Sequence, residues 1–164
     1  APLTGGNFVD LVDKKFYDGM DIQRNEELLI QTGDPGNGIE GYVDPKTKTL
    51  RTIPLELFYK KDKEPTWGIT SDDDGRPADT QALPFQAYGA LGMARDNNDP
   101  DSASSQVFFL KWDQGLLAPG RNTLDGFYTC FGYIVENQEL LGQMDIADKV
   151  VSAKVISGLE NLRR

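Results

Sequence analysis

Residues 104–111 are Ser-Ser-Gln-Val-Phe-Phe-Leu-Lys, and this stretch decides the fold. A short run of β-branched and aromatic residues is typical of a buried strand, which we predict over residues 106–111. A second apolar run predicts a strand over residues 88–94, and the polar residues 95–105 connect the two. The centre of the fold is therefore predicted to be a sheet.

Four further strands are predicted around this pair, at residues 28–32, 52–58, 129–135 and 150–156. The charged and glycine-bearing residues 60–80 are predicted to form a long loop. No internal repeat or low-complexity segment interrupts the pattern. It predicts a mainly β, single-domain fold of the antiparallel barrel type for the 164 residues.

Two short helices are predicted beside the strands. Apolar side chains recur at helical spacing over residues 7–16, and these are Phe8, Leu11, Val12 and Phe16. Asp18 and Gly19 then end this helix with turn chemistry. A second helix is predicted over residues 138–144.

The charge and the missing residue types exclude several kinds of site. A net charge of −9 disfavours nucleic acid, whose phosphates need a basic patch. Because the sequence has no histidine, Ser-His-Asp and Cys-His catalytic machinery and the usual zinc sites are excluded. No apolar run approaches the roughly 18 residues of a membrane-spanning helix. We therefore expect no cofactor, no metal, no nucleic acid and no membrane span.

Two local patterns allow both a structural and a functional interpretation. Cys130 lies in a strand-like run, which favours a buried structural thiol over a reactive one. Residues 96–101 are Asp-Asn-Asn-Asp-Pro-Asp, which is similar to the start of a calcium loop. The sixth position of such a loop is glycine and the twelfth is glutamate, whereas Asp101 and Val107 stand here. A solvated turn is therefore favoured over a metal site.

Arg24 is a candidate functional residue. It follows Met20 and Ile22 in alternation and precedes the predicted strand that carries Gln31. A fixed guanidinium beside an apolar strand costs conformational entropy and desolvation unless it has a partner or a task. From this pattern alone, a structural ion pair and a functional role both stay open, and the ion pair is favoured.

Four blocks of sequence, in this order and at these spacings, resemble the cyclophilin family. The first is Phe-Tyr-Asp-Gly at 16–19, together with Asn-Phe at 7–8 and Arg24, and the second is Ile-Gln-Thr-Gly-Asp-Pro at 30–35. The third is Gly-Met-Ala at 92–94 together with Ser-Ser-Gln-Val-Phe-Phe at 104–109. The fourth is Leu-Asp-Gly at 124–126 together with Phe-Gly at 131–132. The resemblance covers residues 3–158. It implies an antiparallel β-barrel that is capped by two helices.

The resemblance also implies peptidyl-prolyl cis–trans isomerase activity on X–Pro bonds of proteins, which would assist folding or assembly. Arg24 would donate hydrogen bonds that favour a pyramidal prolyl nitrogen, and Gln31 would hold the substrate backbone. These two residues are the implied catalytic ones. The implied substrate-binding residues are Leu28, Leu29, Met93, Ala94, Arg95, Gln106, Phe108, Thr123, Leu124 and Tyr128.

Several positions depart from the family pattern. The segment from Arg24 to Gln31 is one residue shorter than in the archetypal cytosolic form, so the assignments of Leu28 and Leu29 can shift by one residue. Leu28 is taken to stand where the family has the pocket phenylalanine. Tyr128 stands where the family has histidine, and Arg95 replaces an asparagine. Two hypotheses therefore stay open, an active isomerase and a catalytically weak, proline-directed binding or assembly module.

Thr123 stands where the family has the tryptophan that is associated with cyclosporin. The loss of an indole removes a hydrogen-bond donor and a large buried surface. We therefore expect weak or no cyclosporin binding.

Two segments resemble one branch of the family, the multidomain cyclophilins of the thylakoid lumen and of cyanobacteria. They are Gly-Gly-Asn-Phe-Val-Asp-Leu-Val-Asp at 5–13 and Val-Ile-Ser-Gly-Leu-Glu-Asn-Leu at 155–162. This likeness implies the chloroplast thylakoid lumen or its cyanobacterial equivalent, with photosynthetic complex subunits among the candidate partners.

The family domain opens with a two-strand hairpin ahead of the segment matched by residues 1–4, and that hairpin is not in this sequence. We therefore expect the domain over residues 1–164 to be N-terminally incomplete, with a further region upstream. An unpaired strand edge invites pairing, so an upstream segment or a partner is expected to pair with residues 150–156.

Overall fold

The computed structural model describes residues 1–36, 38–111 and 123–164. Among these residues the chain forms one α-helix, seven strands and two 3-10 helices. In chain order they are α1 (Pro2–Asp13), β1 (Ile22–Asn25), β2 (Leu29–Thr32), β3 (Glu56–Leu57), β4 (Thr66–Trp67), β5 (Ala90–Met93), β6 (Val107–Leu110), β7 (Cys130–Tyr133) and the 3-10 helices Gln138–Gln143 and Leu159–Asn161. The predicted class, mainly β and antiparallel with two accompanying helices, is confirmed.

Five of the strands form one antiparallel sheet in the order β1-β2-β6-β5-β7, and β3 pairs with β4 separately. The strands predicted over 88–94 and 106–111 are β5 and β6, and Gly92 lies opposite Phe108. On its other side β6 pairs with β2, where Gln31 lies opposite the same phenylalanine. The central strands therefore bring two of the four sequence blocks together, those at 30–35 and at 92–94 with 104–109.

Strand β1 carries one additional residue where it pairs with β2. Ile22 lies opposite Thr32, whereas Arg24 lies opposite Gln31, so the register shifts by one residue at Gln23. A β-bulge of this kind bends the strand and changes the direction of its side chains. The usual alternation of neighbouring side chains between two faces is therefore broken at this point.

Helix α1 is attached to the sheet by its N-terminus and by an apolar stripe. Pro2 lies in the first turn, where its missing N–H leaves no hydrogen bond unmade. The carboxylate of Glu56 accepts a hydrogen bond from the backbone N–H of Thr4 at 2.8 Å. Leu11 is fully buried in the core. Because of this proline and this cap, the helix begins earlier than the predicted residue 7. It ends at Asp13 rather than at residue 16, and Lys15 just beyond has a positive φ of 60°, which does not continue a right-handed helix.

The second predicted helix is the 3-10 helix Gln138–Gln143. Its Leu141 packs against Ile22 and Ile30. Within the described ranges, no helix has both the length and the apolar character needed to cross a membrane.

The strand predicted over 52–58 and the loop predicted over 60–80 are only partly observed. Only Glu56–Leu57 forms a strand, and it pairs with β4, which lies inside the predicted loop. Ahead of it, Ile53 makes an isolated bridge to Ala103. The intervening Pro54 has no N–H to donate, which limits regular pairing here.

The strand predicted over 150–156 is wrong, because the structure has no strand there. Val150 exchanges hydrogen bonds with the chain just before β1, through Met20 and Gly19. The residues that follow lie along the surface, where Val151 and Ile156 are 88% and 98% exposed. A strand needs a hydrogen-bonded neighbour, and beyond Val150 no strand pairs with this segment among the described residues. The described pairings accordingly form an open sheet rather than a closed ring.

Candidate functional site

A groove of about 560 Å³ lies over β1, β2 and β6, and two loops complete it. This volume is in the range of sites that hold small ligands or a few side chains. Its lining residues are Arg24, Leu29, Gln31, Ala94, Arg95, Asp96, Asn97, Asn98, Phe108, Leu124 and Tyr128.

The apolar part of the groove is built around Phe108. Its ring stacks on Phe85 with centroids 5.7 Å apart, and it meets Tyr128 edge-on at 5.8 Å. Leu124 packs against the same core cluster. Gly92 leaves room for this arrangement, since a Cβ there would lie 2.3 Å from the Phe108 ring. The result is an apolar seat with an aromatic wall.

Arg24 provides the cationic part of the groove. Its Nε and Nη2 donate to one carboxylate oxygen of Glu26 at 2.9 and 2.8 Å, and its Nη1 donates to Oε1 of Gln31 at 3.0 Å. A guanidinium has five N–H donors, so the described part of the chain leaves two of them for a ligand.

The ion pair between Arg24 and Glu26 is weak. The two side chains are 48% and 56% exposed, and such a surface pair is worth no more than about 1 kcal/mol. Arg24 is thus an ion-pair partner and a groove residue at once. The structural ion pair is observed, and the functional role of Arg24 stays a prediction.

Gln31 is fixed by two other glutamines. Its Nε2 donates to Oε1 of Gln106 at 2.9 Å, and Nε2 of Gln23 donates to the same oxygen at 2.5 Å. Gln106 in turn donates to the backbone carbonyl of Glu40 at 3.0 Å. Gln31 is only 7% exposed, so these bonds hold it firmly beside Arg24.

Arg95 joins the two loops that complete the groove. Its Nε and Nη2 donate to the carbonyl of Phe127 at 2.9 and 2.6 Å, and its Nη1 donates to the carbonyl of Asp96 at 2.7 Å. The guanidinium also lies 5.0 Å from the ring centroid of Tyr128, whose hydroxyl donates to Asn97 at 2.5 Å. One wall of the groove is therefore held by side-chain bonds to backbone and amide oxygens.

The chain that carries this groove matches a known protein family. The sequence model of the family described as cyclophilin type peptidyl-prolyl cis-trans isomerase/CLD matches residues 1–161. The chain belongs to the cyclophilin-type peptidyl-prolyl cis–trans isomerase family. The predicted resemblance is confirmed.

Cyclophilins of photosynthetic organisms are similar over nearly the whole chain. A Synechocystis protein named as a thylakoid lumen peptidyl-prolyl cis-trans isomerase is 49% identical over 163 residues, which is 99% of this chain and 43% of that protein. The chloroplastic peptidyl-prolyl cis-trans isomerase CYP38 of Arabidopsis thaliana is 45% identical over 162 residues, or 99% of this chain and 37% of that protein. The chain thus spans less than half the length of these relatives.

Solved cyclophilin structures share the fold. A Cryptosporidium parvum cyclophilin, crystallised with the dipeptide Ala-Pro, superposes with a TM-score of 0.59 at 22% identity, over 93% of this chain and 78% of that one. The Hirschia baltica cyclophilin AquaCyp293 gives a TM-score of 0.55 at 17% identity, over 92% and 64% of the two chains. At these identities the likeness concerns the cyclophilin fold alone.

Eight of the predicted site residues line the groove of this cyclophilin, and they are Arg24, Leu29, Gln31, Ala94, Arg95, Phe108, Leu124 and Tyr128. Leu28, which was predicted at the position of the pocket phenylalanine, does not line the groove and is exposed, whereas its neighbour Leu29 lines it. Gln106 lines an adjoining cavity of about 310 Å³. Thr123 is exposed and lies outside both linings.

Met93, one of the predicted substrate-binding residues, does not line the groove. It is 2% exposed and packs in the core with Ile53 and Val107. Alternation along β5 explains the difference, because the neighbours Gly92 and Ala94 face the Phe108 side and Met93 faces away.

The sequence analysis missed three parts of the site. Residues 96–98 line the groove, although the analysis considered them only as a metal pattern. The side chain of Asp96 instead stabilises a turn, since its Oδ1 accepts from the backbone N–H of Asn98 at 2.7 Å. Glu26 and Gln23 were also missed. The sequence did carry a signal for Gln23, because it is a polar residue between Ile22 and the candidate Arg24.

Cys130 is a buried thiol beneath the groove. Burial raises its pKa to about 11, so the reactive thiolate is scarce at neutral pH. Its Sγ lies 3.9 Å from the carbonyl oxygen of Pro84, and it packs in the cluster around Phe108. These surroundings agree with a structural role.

Proposed function

We propose that this cyclophilin domain binds X–Pro segments of proteins in the groove and catalyses their cis–trans isomerisation. The observation that carries the proposal is the pairing of Arg24 with Gln31 beside the apolar seat of Phe108 and Leu124. A proline ring is apolar and fits such a seat, while the amide that must rotate needs polar partners alongside.

The reaction needs neither a nucleophile nor a metal. Amide resonance gives the X–Pro bond a barrier of about 18–20 kcal/mol, and weakening that conjugation lowers it. The two N–H donors of Arg24 that remain for a ligand would bond the substrate as the prolyl nitrogen becomes pyramidal. A bond that strengthens on the way to the transition state raises turnover rather than affinity alone. Gln31 would hold the substrate backbone during the rotation.

We infer the compartment and the clients from the relatives. Two of them are named for the thylakoid lumen or the chloroplast. This protein is accordingly assigned to the thylakoid lumen or its cyanobacterial equivalent, where it would assist the folding or assembly of proteins. Subunits of photosynthetic complexes are the first clients to examine.

A proline-directed binding module with little turnover is the second candidate. Glu26 supports it, because its carboxylate takes two of the donors of Arg24 and neutralises its charge. The groove would then still seat a proline, while the arginine would assist its isomerisation poorly.

Exchange spectroscopy by NMR on an Ala-Pro peptide distinguishes the two candidates, because it measures binding and cis–trans exchange in one sample. An isomerase accelerates the exchange far beyond its uncatalysed time of tens to hundreds of seconds. Shifted peptide signals without acceleration identify the binding module. If the peptide shows no shifted signals and no acceleration, both candidates are refuted.

The variant Glu26→Gln shows whether the ion pair limits turnover. Release of a pair worth up to about 1 kcal/mol would raise the rate by at most about fivefold. Glu27→Gln is the matched control, because it removes the same charge from the neighbouring exposed residue. An equal change in both variants would exclude a specific effect of the pair.

A further inference from the structure

A continuous chain of hydrogen bonds connects the backbone at Asp34 to Arg24. The N–H of Asp34 donates to Oε1 of Gln23 at 2.8 Å, and Nε2 of Gln23 donates to Oε1 of Gln106 at 2.5 Å. Nε2 of Gln31 donates to that same oxygen at 2.9 Å, and Oε1 of Gln31 accepts from Arg24 at 3.0 Å. Three amide side chains therefore lie between a backbone group and the arginine.

The β-bulge makes this chain possible. Gln23 is the additional residue of β1, between the pairs Ile22–Thr32 and Arg24–Gln31. In a regular strand, neighbouring side chains point to opposite faces of the sheet. Because of the bulge, the side chains of Gln23 and Arg24 both reach the hydrogen-bonded glutamines from consecutive positions.

The ends of the chain dictate how each amide is oriented. An amide side chain can turn over, which exchanges its donor and acceptor ends. The N–H of Asp34 is only a donor, so Gln23 must turn its oxygen towards it and its NH₂ towards Gln106. Gln106 must then turn its oxygen towards Gln23. Its NH₂ group consequently faces the backbone carbonyl of Glu40, which can only accept a hydrogen bond. Gln31 consequently donates to Gln106.

At the other end of the chain of hydrogen bonds, Arg24 requires the same orientation of the Gln31 amide. A guanidinium is only a donor, so Gln31 has to present its oxygen to it. Every link thus agrees with the fixed donor at Asp34, the fixed acceptor at Glu40 and the fixed donor at Arg24. If one amide turned over, two donors or two acceptors would face each other at a site where Gln31 is only 7% exposed.

We propose that Gln23 is a positioning residue that sets the orientation of the Gln31 amide and thereby holds Arg24 in its place in the groove. The inference rests on the proposed isomerase function, although the orientation of the amide is a property of the free protein. Gln23 does not line the groove and acts only through Gln106 and Gln31.

The variant Gln23→Glu tests the inference by reversing the chain of hydrogen bonds. The introduced carboxylate keeps the side-chain length and still accepts from the N–H of Asp34, but it offers only an acceptor to Gln106. Gln106 must then turn over to donate, Gln31 must turn over in response, and its NH₂ group meets the guanidinium of Arg24. We expect kcat to fall at least tenfold with little change in KM.

Two further variants separate this effect from charge and from simple loss of contact. Gln23→Met keeps the shape but removes both polar ends, so the amide of Gln31 is released rather than reversed, and the loss of kcat should be smaller. Gln143→Glu adds the same charge at an exposed position of a 3-10 helix outside the groove lining, and it should leave kcat unchanged. A kcat of Gln23→Glu equal to that of wild type would overturn the inference.

A second measurement does not depend on turnover or on the folding of any variant. In wild-type protein, the side-chain NH₂ groups of Gln23 and Gln31 donate to one oxygen, so they should show a nuclear Overhauser effect to each other. An effect between the Gln31 NH₂ group and the guanidinium protons of Arg24 instead would contradict the inference. If no isomerisation is detected, the proposed function fails while this measurement still decides the orientation.

Discussion

Replacing Arg24 with alanine is expected to remove most isomerase activity and little stability. In the folded protein the guanidinium makes one exposed ion pair, worth up to about 1 kcal/mol, and one hydrogen bond to Gln31, worth about 1 kcal/mol. With the side chain 48% exposed, little packing is lost. The free energy of unfolding should therefore fall by no more than about 2 kcal/mol.

The effect on catalysis should be larger, because Arg24 would act mainly on the transition state. Loss of one charge-assisted donor typically costs about 1.4–4 kcal/mol of transition-state stabilisation. This range corresponds to a decrease in kcat/KM of about tenfold to a thousandfold. Gln31 would keep its bond to Gln106 and continue to hold the peptide backbone, so the loss should fall mainly on kcat.

The assay is protease-coupled isomerisation of an X–Pro peptide, with thermal unfolding measured on the same samples. Lys149→Ala is the control, since it removes another exposed cation from an exposed ion pair, with Asp21, outside the groove. Activity of Arg24→Ala equal to wild type would refute the catalytic role. Global unfolding of Arg24→Ala with a stable control would instead identify a structural arginine.

Three further predictions concern the drug site, the pH and the sheet edge. Titration with cyclosporin should show at least about 30-fold weaker affinity than an archetypal cytosolic cyclophilin, because Thr123 replaces an anchor worth about 2 kcal/mol. Burial opposes ionisation of Asp10, but hydrogen bonds from Lys14 and Arg51 and a third cation hold its pKa well below the usual range. The carboxylate therefore stabilises the fold above the unfolded-state pKa of about 3.9, and this stability is lost as the pH falls below it. In denaturation experiments, the free energy of unfolding of Asp10→Asn should be about 2–3 kcal/mol lower than that of wild type at pH 7, and the difference should be smaller at pH 3. In the full-length protein, hydrogen exchange should show protected amides at 150–156, and rapid exchange there would refute pairing with an upstream segment or partner.

The sequence predicted most of the groove because its residues lie in short blocks inside regular strands. Gln31 and Phe108 come together through the register of β2 with β6, and Gly92 makes room for the phenylalanine ring. Within such blocks, spacing along the chain translates directly into spacing on the sheet. Residues in these positions could therefore be assigned before any coordinates.

The positions that the sequence did not predict depend on tertiary structure, that is, on how the strands pair and which way their side chains point. The register shift at Gln23 depends on how β1 pairs with β2, and no local propensity encodes it. Met93 belongs to a recognised block, yet its direction is set by the alternation of β5 rather than by membership of the block. The segment 150–156 has the composition of a strand, but beyond Val150 no described strand pairs with it. Strand formation depends on a partner as well as on propensity.

The departures at Arg95 and Tyr128 are explained better as one change than as two. Each replaces a different residue of the family pattern, and from the sequence they add a charge to the groove and remove a histidine. In the structure the guanidinium lies over the tyrosine ring and donates to two backbone carbonyls, while the tyrosine hydroxyl donates to Asn97. Arg95 is thus engaged in holding the wall together, whereas Arg24 on the opposite side keeps donors for a ligand. The wall is braced, and Arg24 is held by an exposed ion pair with Glu26 and one hydrogen bond to Gln31. The altered residues therefore do not by themselves argue against turnover. The rate therefore depends chiefly on how Glu26 and Gln31 hold Arg24.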